Sequence, residues 1–405
     1  MVALQAGAIM ADLKDPLDGL NRLRPTRDET VDLLSRLVGT ESVNPSLVPG
    51  AAGEARIATL VSEWLSAAGL EVHVQDAAEG RPNVVARLSG RGRGHSLMLN
   101  AHVDTVGTAG MEDPFSARVV EDRLYGRGAY DMKGGLAAVM LAARALSTSG
   151  VLEGDLLVAA VADEEYASLG TQAVLESWTA DGAIVTEPTG LRVCAAHKGF
   201  AWVTVKTRGR AAHGSKPDLG VDSIVHMGRV LADLEALGGE LRARPPHPLL
   251  GTGSVHASLI EGGQELSSYP ERCKLQIERR TVPGEAPGGV LGEIQSMLDR
   301  RSAADPAFSA CADLFVWRDP FEVDLAEPLV QTLIQEAGGS GQIPEIYGDT
   351  PWMDAALLSA AGIPTVVFGP GGAGAHAIEE YVSISEVQDC AYVLARTALR
   401  FCRTR

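Results

Sequence analysis

Histidines and carboxylates in this chain stand at the ends of apolar runs, where their types suit metal-assisted hydrolysis. The run LMLNA is followed at once by His102-Val103-Asp104, LLVAAVA by Asp163-Glu164-Glu165, and AIVT by Glu187. PTVVF, after a glycine-rich turn, is followed by His376, and Asp131 opens a further helical stretch near Met132. An HxD or EE pair alone reads as a solvated turn, because ionised side chains are ordinarily exposed. Four strand ends carrying such residues make coincidence a poor account. Imidazole and carboxylate are the zinc ligands expected where thiolates are absent. If one carboxylate bridged two ions roughly 3.5–4 Å apart, a shared water would be activated for attack near neutral pH.

The elements that must position these groups are legible from periodicity. Strand-like runs cover Asn83–Leu88, Leu97–Ala101, Leu156–Ala162, Ala183–Thr186 and Pro364–Phe368. They alternate with helical stretches at 27–39, 55–69, 134–146 and 170–178, several of them ending at glycine. Such alternation predicts an α/β domain with a mainly parallel sheet and helices on both faces. Continuous apolar runs suit strands buried on both sides, and ligands gather at the carboxyl ends of such strands. From about His197 to Trp317 the texture changes to strand, helix, two paired strands, helix and a further strand. That order predicts a smaller α+β domain over 197–317, inserted into a larger one formed by 1–196 and 318–405.

Bulk properties exclude several functions. A formal net charge of −17 over 405 residues, without a long Lys/Arg run, argues against nucleic acid as partner. No run approaches the ~20 apolar residues of a membrane-spanning helix. The first twenty residues lack the basic leader and long apolar region of a signal peptide, so a cytoplasmic location is expected. The five cysteines, Cys194, Cys273, Cys311, Cys390 and Cys402, have no CxxC spacing and suggest neither a disulfide framework nor a thiolate metal site.

In order, AHVDTV, YGRGAYDMKGG, ADEEYASLG, TEPT, GRAAHGSKPDLGVDSI and GPGGAGAHAIEEYV resemble the zinc-dependent acetylornithine deacetylase, succinyl-diaminopimelate desuccinylase, aminoacylase and carboxypeptidase family. The resemblance spans nearly the whole chain from about residue 30, and the acetylornithine deacetylase-like branch is most similar. It implies a catalytic α/β domain with an inserted lid or dimerisation domain, and two divalent ions, zinc first, with cobalt or manganese as alternatives. By the same resemblance His102, Asp131 and Glu187 hold one ion, and Asp131, Glu165 and His376 the other. The resemblance also implies a cis peptide bond after Asp131. Asp104 orients His102, and Glu164 serves as general base.

In the inserted region the resemblance makes His213 the histidine that stabilises the oxyanion, from a partner subunit in dimeric members. Arg280 becomes the arginine gripping the substrate carboxylate; Arg279 beside it leaves a structural ion pair as the alternative. Two positions depart from the family pattern near the substrate pocket: Ser267 stands where asparagine is frequent, and Glu278 where aspartate is usual. The expectation is therefore a homodimeric, metal-dependent amidohydrolase acting on a small N-acylated substrate. A metallopeptidase trimming dipeptides or C-terminal residues with the same two-metal site is the alternative. His73, His95, His197, His226, His247 and His256 lack motif context and are expected in core or surface roles, although His197 could touch substrate.

Overall fold

A computed structural model describes residues 23–339 and 344–403; the N-terminal stretch read above as lacking a leader lies outside the described residues. The described residues form two compact units, one of 23–191, 332–339 and 368–403, the other of 192–331 and 344–367. No helix among them is long and apolar enough to cross a membrane.

The first unit contains a run of five hydrogen-bonded strands. From one side these are Glu71–Ala78, Arg81–Leu88, Leu156–Val161, Leu97–His102 and Gly182–Val185. The last three are parallel, with His102 opposite Val161 and Asn100 opposite Val185. Every residue of these three strands is buried, as their uninterrupted apolar sequences require. The two outer strands are antiparallel, so the unit combines a parallel centre with an antiparallel margin. Helix Gly134–Ser149 is apolar around nearly its whole circumference and packs on helix Ile384–Phe401. Ser383 caps the latter by accepting from the Glu386 N–H.

A second, small sheet of this unit escaped the periodicity reading because its strands are two or three residues long. Its order is Gly372–Ala373, Tyr381–Ser383, Arg123–Tyr125 and Arg118–Val120. It joins the segment carrying His376 to the segment leading into Asp131, two regions some 250 residues apart in sequence.

The second unit holds a four-stranded antiparallel sheet in the order Ser254–Gly262, Arg272–Thr281, Gly199–Arg208 and Ser309–Arg318. Helices Ser223–Ala243 and Pro287–Ala304 cover one face, where Val203, Val205, Cys273, Leu275 and Ile277 meet Met227, Val230, Ile294 and Leu298 in a shared core. The predicted order of strands and helices in the α+β region is observed. The unit also contains strand Val193–His197, paired with Ile346–Asp349, Phe321–Glu322 and Thr365–Val367.

His197 ends that strand in full burial, its ring 5.1 Å from Phe321 and 6.3 Å from Trp352, its Nδ1 3.0 Å from the Lys198 carbonyl. It is a core residue, and burial holds its pKa down at about 4. The folded chain therefore refuses a proton that the unfolded chain accepts near pH 6.5, and stability falls as pH drops from that value through about 4. The expected cost below both values is about 3 kcal/mol. Denaturant titrations of the wild type and His197→Phe across this window should show a steeper acid loss in the wild type; parallel curves would refute it.

Candidate metal centre

The three central strands are parallel, so the residues after them emerge on one side of the sheet. His102 is the last residue of its strand, and Val103 continues by donating to the Val161 carbonyl at 2.8 Å. The Asp163-Glu164-Glu165 turn follows Val161, with Asp163 in the left-handed region at φ 68. Glu187 lies two residues beyond Val185. The segment 368–376 runs beside this strand end: Phe368 donates to the Val185 carbonyl at 2.9 Å, and Thr189 Oγ1 to the Gly369 carbonyl at 3.1 Å. A Cβ on Gly369 would meet the Glu187 carbonyl oxygen at 2.2 Å, so only glycine permits this approach. The segment ends at His376, held at φ 60.

Asp131 lies in an irregular turn over Ala129–Lys133 that feeds helix Gly134–Ser149, and its peptide bond to Met132 is cis. Gly135 brings this helix start against the strand end carrying Glu187, because a Cβ there would meet the Thr186 carbonyl oxygen at 2.0 Å. The turn hangs on Glu380, which the sequence reading did not single out. This buried carboxylate accepts from the backbone N–H of Gly128 (3.0 Å), Tyr130 (2.9 Å) and Asp131 (3.0 Å), and from Arg127 Nη1 (2.6 Å). Below the turn, the fully buried Lys133 donates to the Thr40 carbonyl at 2.8 Å. Burial lowers its ammonium pKa to about 7. The HAIEEY run offered the only sequence signal for Glu380, a carboxylate just before a β-rich tripeptide.

Glu380→Ala is expected to strand the buried Arg127 charge and three backbone donors, costing about 3–5 kcal/mol of stability. Urea unfolding of wild type, Glu380→Ala and Glu380→Gln tests this, with the glutamine variant falling between the other two. A loss below about 1 kcal/mol in the alanine variant would show that the turn holds without this carboxylate.

The five residues read as ligands meet. His102 Nε2 lies 3.1 Å from Asp131 Oδ1 and 3.7 Å from Glu187 Oε1. His376 Nε2 lies 3.4 Å from Asp131 Oδ2 and 3.0 Å from Glu165 Oε2. The two oxygens of Asp131 thus face different histidines, the arrangement a bridging carboxylate needs. Ligand atoms of His102, Asp131 and Glu165 fall within 4.8 Å of one another, and so do those of His102, Glu164 and Glu187.

The electrostatics describe a site short of positive charge. Burial opposes protonation of His102, yet the Asp131 hydrogen bond and the charges of Glu187, Glu164 and Asp104 outweigh it and place its pKa well above the usual value. Hydrogen bonds to Asp131 and Glu165 raise His376 to about 10 against its partial burial. Burial and the neighbouring Asp131 charge raise Glu165, whereas the two imidazoles hold Asp131 far below the carboxylate range despite burial. Such upward shifts mark a cluster of carboxylate charge that divalent cations would balance. Among the described residues no hydrogen-bond donor reaches the buried Glu165 Oε1. The donor set of two imidazoles and three carboxylates, with Glu164 beside it, therefore fits a pair of divalent ions.

Asp104 supports the centre in a different way from a simple His–carboxylate contact. His102 Nδ1 is 2.9 Å from the Asp104 backbone carbonyl but 3.6 Å from its carboxylate. The carboxylate accepts instead from Asn44 Nδ2 (2.7 Å) and from the N–H groups of Glu164 (3.1 Å) and Glu165 (3.3 Å), so it fixes the turn that presents both glutamates. Asn44 also donates to Asp163 at 3.0 Å, and Asp163 accepts from Arg81, which pairs with Glu54. Of this buried network, Asn44, Glu54 and Arg81 gave no motif signal, because they lie at least ten residues from one another and from Asp163.

The remaining residues read as functional belong to the second unit. His213 and Ser267 occupy adjoining loops: His213 bridges Ser268, and Gly214 N donates to the Ser267 carbonyl at 2.6 Å. His213 is exposed, with Nδ1 2.9 Å from Ser215 Oγ. The neighbouring arginines separate by strand alternation. Arg279 is fully buried and paired with Glu285 and Glu293. Arg280 projects to the opposite face with a side chain 32% exposed, its Nε on Glu278 Oε1 at 2.6 Å.

A sequence model of Peptidase family M20/M25/M40 matches residues 98–400. An acetylornithine deacetylase from Myxococcus xanthus is 32% identical over 358 residues, covering 84% of this chain and 90% of the relative. An N-formyl-4-amino-5-aminomethyl-2-methylpyrimidine deformylase from Bacillus subtilis is 26% identical, covering 93% and 95%. Among solved structures, a dinuclear metal-binding M20 peptidase from Bacillus subtilis superposes with a TM-score of 0.74 at 16% identity, over 94% of this chain and 99% of the other, a likeness of fold.

Proposed function

The chain belongs to peptidase family M20/M25/M40 and is a metal-dependent hydrolase of amide bonds, and from that premise we propose that it removes a short acyl group from the nitrogen of an amino acid or related amine. The observation that carries the reading is the division of Asp131 between His102 and His376, with Glu164 and Glu187 beside the former. The two covered relatives are named for removing an acetyl and a formyl group, which supports a short acyl group here.

Two divalent ions, zinc first, would be held by His102, Asp131 and Glu187 and by Asp131, Glu165 and His376; when bound they lower the pKa of a water and polarise the amide carbonyl. Glu164 takes the proton from that water and delivers it to the amide nitrogen as the C–N bond breaks, so a free amine and a carboxylic acid leave. Asp104 holds the Glu164 and Glu165 amides in place during this exchange. Arg280 binds the substrate carboxylate, Ser267 lines the pocket, and His213 donates a hydrogen bond to the developing oxyanion.

Residues 197–317 serve as the lid and dimerisation domain in this reading. Support comes from strand Ser254–Gly262, an open sheet edge with Leu259 65% and Ile260 57% exposed, which suits pairing with a second copy.

The test is a panel of N-acetyl and N-formyl amino acids set against dipeptides, with chelated enzyme reloaded with zinc, cobalt or manganese. Turnover of the acylated amino acids that vanishes on chelation supports the proposal. Turnover of dipeptides alone would replace it with a peptidase.

A further inference from the structure

The face of the four-stranded sheet turned away from its helices should be polar, because a one-sided sheet exposes alternate residues to water. At one end it is aromatic instead. Phe200 and Trp202, two residues apart on the same face, have ring centroids 5.3 Å apart, and Phe315 follows 6.1 Å from Trp202. Phe315 is the extra residue of a register shift between Leu314 and Val316. Trp202 remains 38% and Phe315 45% exposed. Contiguous exposed rings of this kind mark recognition surfaces more often than solvated ones.

Arg280 lies directly across the strand pair from Phe200, with its guanidinium carbon 5.2 Å from that ring centroid. Glu278, across from Trp202, fixes both neighbours: Oε1 accepts from Arg280 Nε at 2.6 Å and Oε2 from Trp202 Nε1 at 3.0 Å. Among the described residues the Arg280 Nη groups make no hydrogen bond. The guanidinium is thus oriented by one edge and stacked on a ring, while the fork that binds carboxylates in bidentate fashion is left open. The longer Glu278, in place of the usual aspartate, reaches both partners at once.

The geometry points to a recognition platform for an N-acylated aromatic amino acid, with the Arg280 fork taking its carboxylate and the Phe200, Trp202 and Phe315 rings taking its aromatic side chain. Carboxylate and side chain hang from the same α-carbon, so one residue reaches both contacts. The side chain of ornithine is a protonated amine, and the Arg280 charge beside the Phe200 ring opposes a second cation there. The inference rests on the deacylase reading for its substrate class, and its test is chosen so that the two fail separately.

Calorimetric titration of the full chain with N-acetyl-L-phenylalanine and N-acetyl-L-alanine reads the platform without turnover. Phenylalanine derivative binding roughly ten-fold tighter supports it. In Phe315→Ala, which breaks no hydrogen bond of the described residues, that preference should shrink by roughly 3- to 10-fold. In Arg280→Lys both ligands should weaken. Equal affinities, or a preference that Phe315→Ala leaves untouched, would overturn it. Preferential binding without hydrolysis by the metal-loaded enzyme would uphold the platform and sink the deacylase reading instead.

Discussion

Glu164→Gln is expected to lower kcat by about 10²–10⁴-fold while metal content stays at that of the wild type. The exchange removes a proton acceptor but preserves side-chain length and the backbone N–H that donates to Asp104 at 3.1 Å, so the turn before Glu165 is left intact. The result separates two roles that the geometry allows. Glu164 has an oxygen within 4.8 Å of the ligand atoms of His102 and Glu187, close enough to bind an ion itself. As a base, its amide variant retains the metals and loses the proton-transfer step, so KM changes little. As a ligand, its amide variant loses an ion, and added zinc partly restores the rate. Metal content by elemental analysis, read alongside kcat, decides between them; undiminished kcat would remove Glu164 from both.

Asp131→Ala is expected to abolish hydrolysis and to cost more metal affinity than the loss of any supporting residue. Loss of an outer partner typically costs 10–100-fold in affinity. Asp131 faces both histidines, through Oδ1 at 3.1 Å and Oδ2 at 3.4 Å, so its removal affects both ion sites together. The expected outcome is a fall of well over about 100-fold for both ions in competition with a chelator. The substitution removes the one carboxylate that faces both histidines, so excess metal is not expected to rescue the variant. Far-ultraviolet circular dichroism should remain native, because Glu380 holds the turn through backbone amides that the substitution leaves in place. Retention of one tightly bound ion would show that Asp131 belongs to a single site and that the bridge is false.

Much of this centre was legible in the sequence for a definite reason. His102, the Glu164-Glu165 pair and Glu187 follow continuous apolar strands, and three parallel neighbouring strands deliver their next residues to one side whatever the loops do. Asp131 and His376 were visible as residue types near a helix start and beyond a strand end, but their assignment to particular ions needed the motif resemblance, since an irregular turn and a glycine-rich segment have no period to read. The antiparallel outer strand Glu71–Ala78 went unseen because it is largely exposed and mixed in composition. Strand Val193–His197 is short, and its five buried residues gave no alternation.

Residue type and order alone determined the donor set, the alternation of strands and helices, and the inserted α+β pattern, because burial imposes a period on any chain that folds. Tertiary structure alone decided which atoms meet. It gave the two oxygens of Asp131 to different histidines, and turned the Asp104 carboxylate to the Glu164-Glu165 amides, with its backbone carbonyl towards His102. It buried Arg279 while leaving the Arg280 fork open beside the Phe200 ring. Those outcomes depend on contacts between segments as far apart as residues 131 and 380, and short-range periodicity carries no information about such pairs.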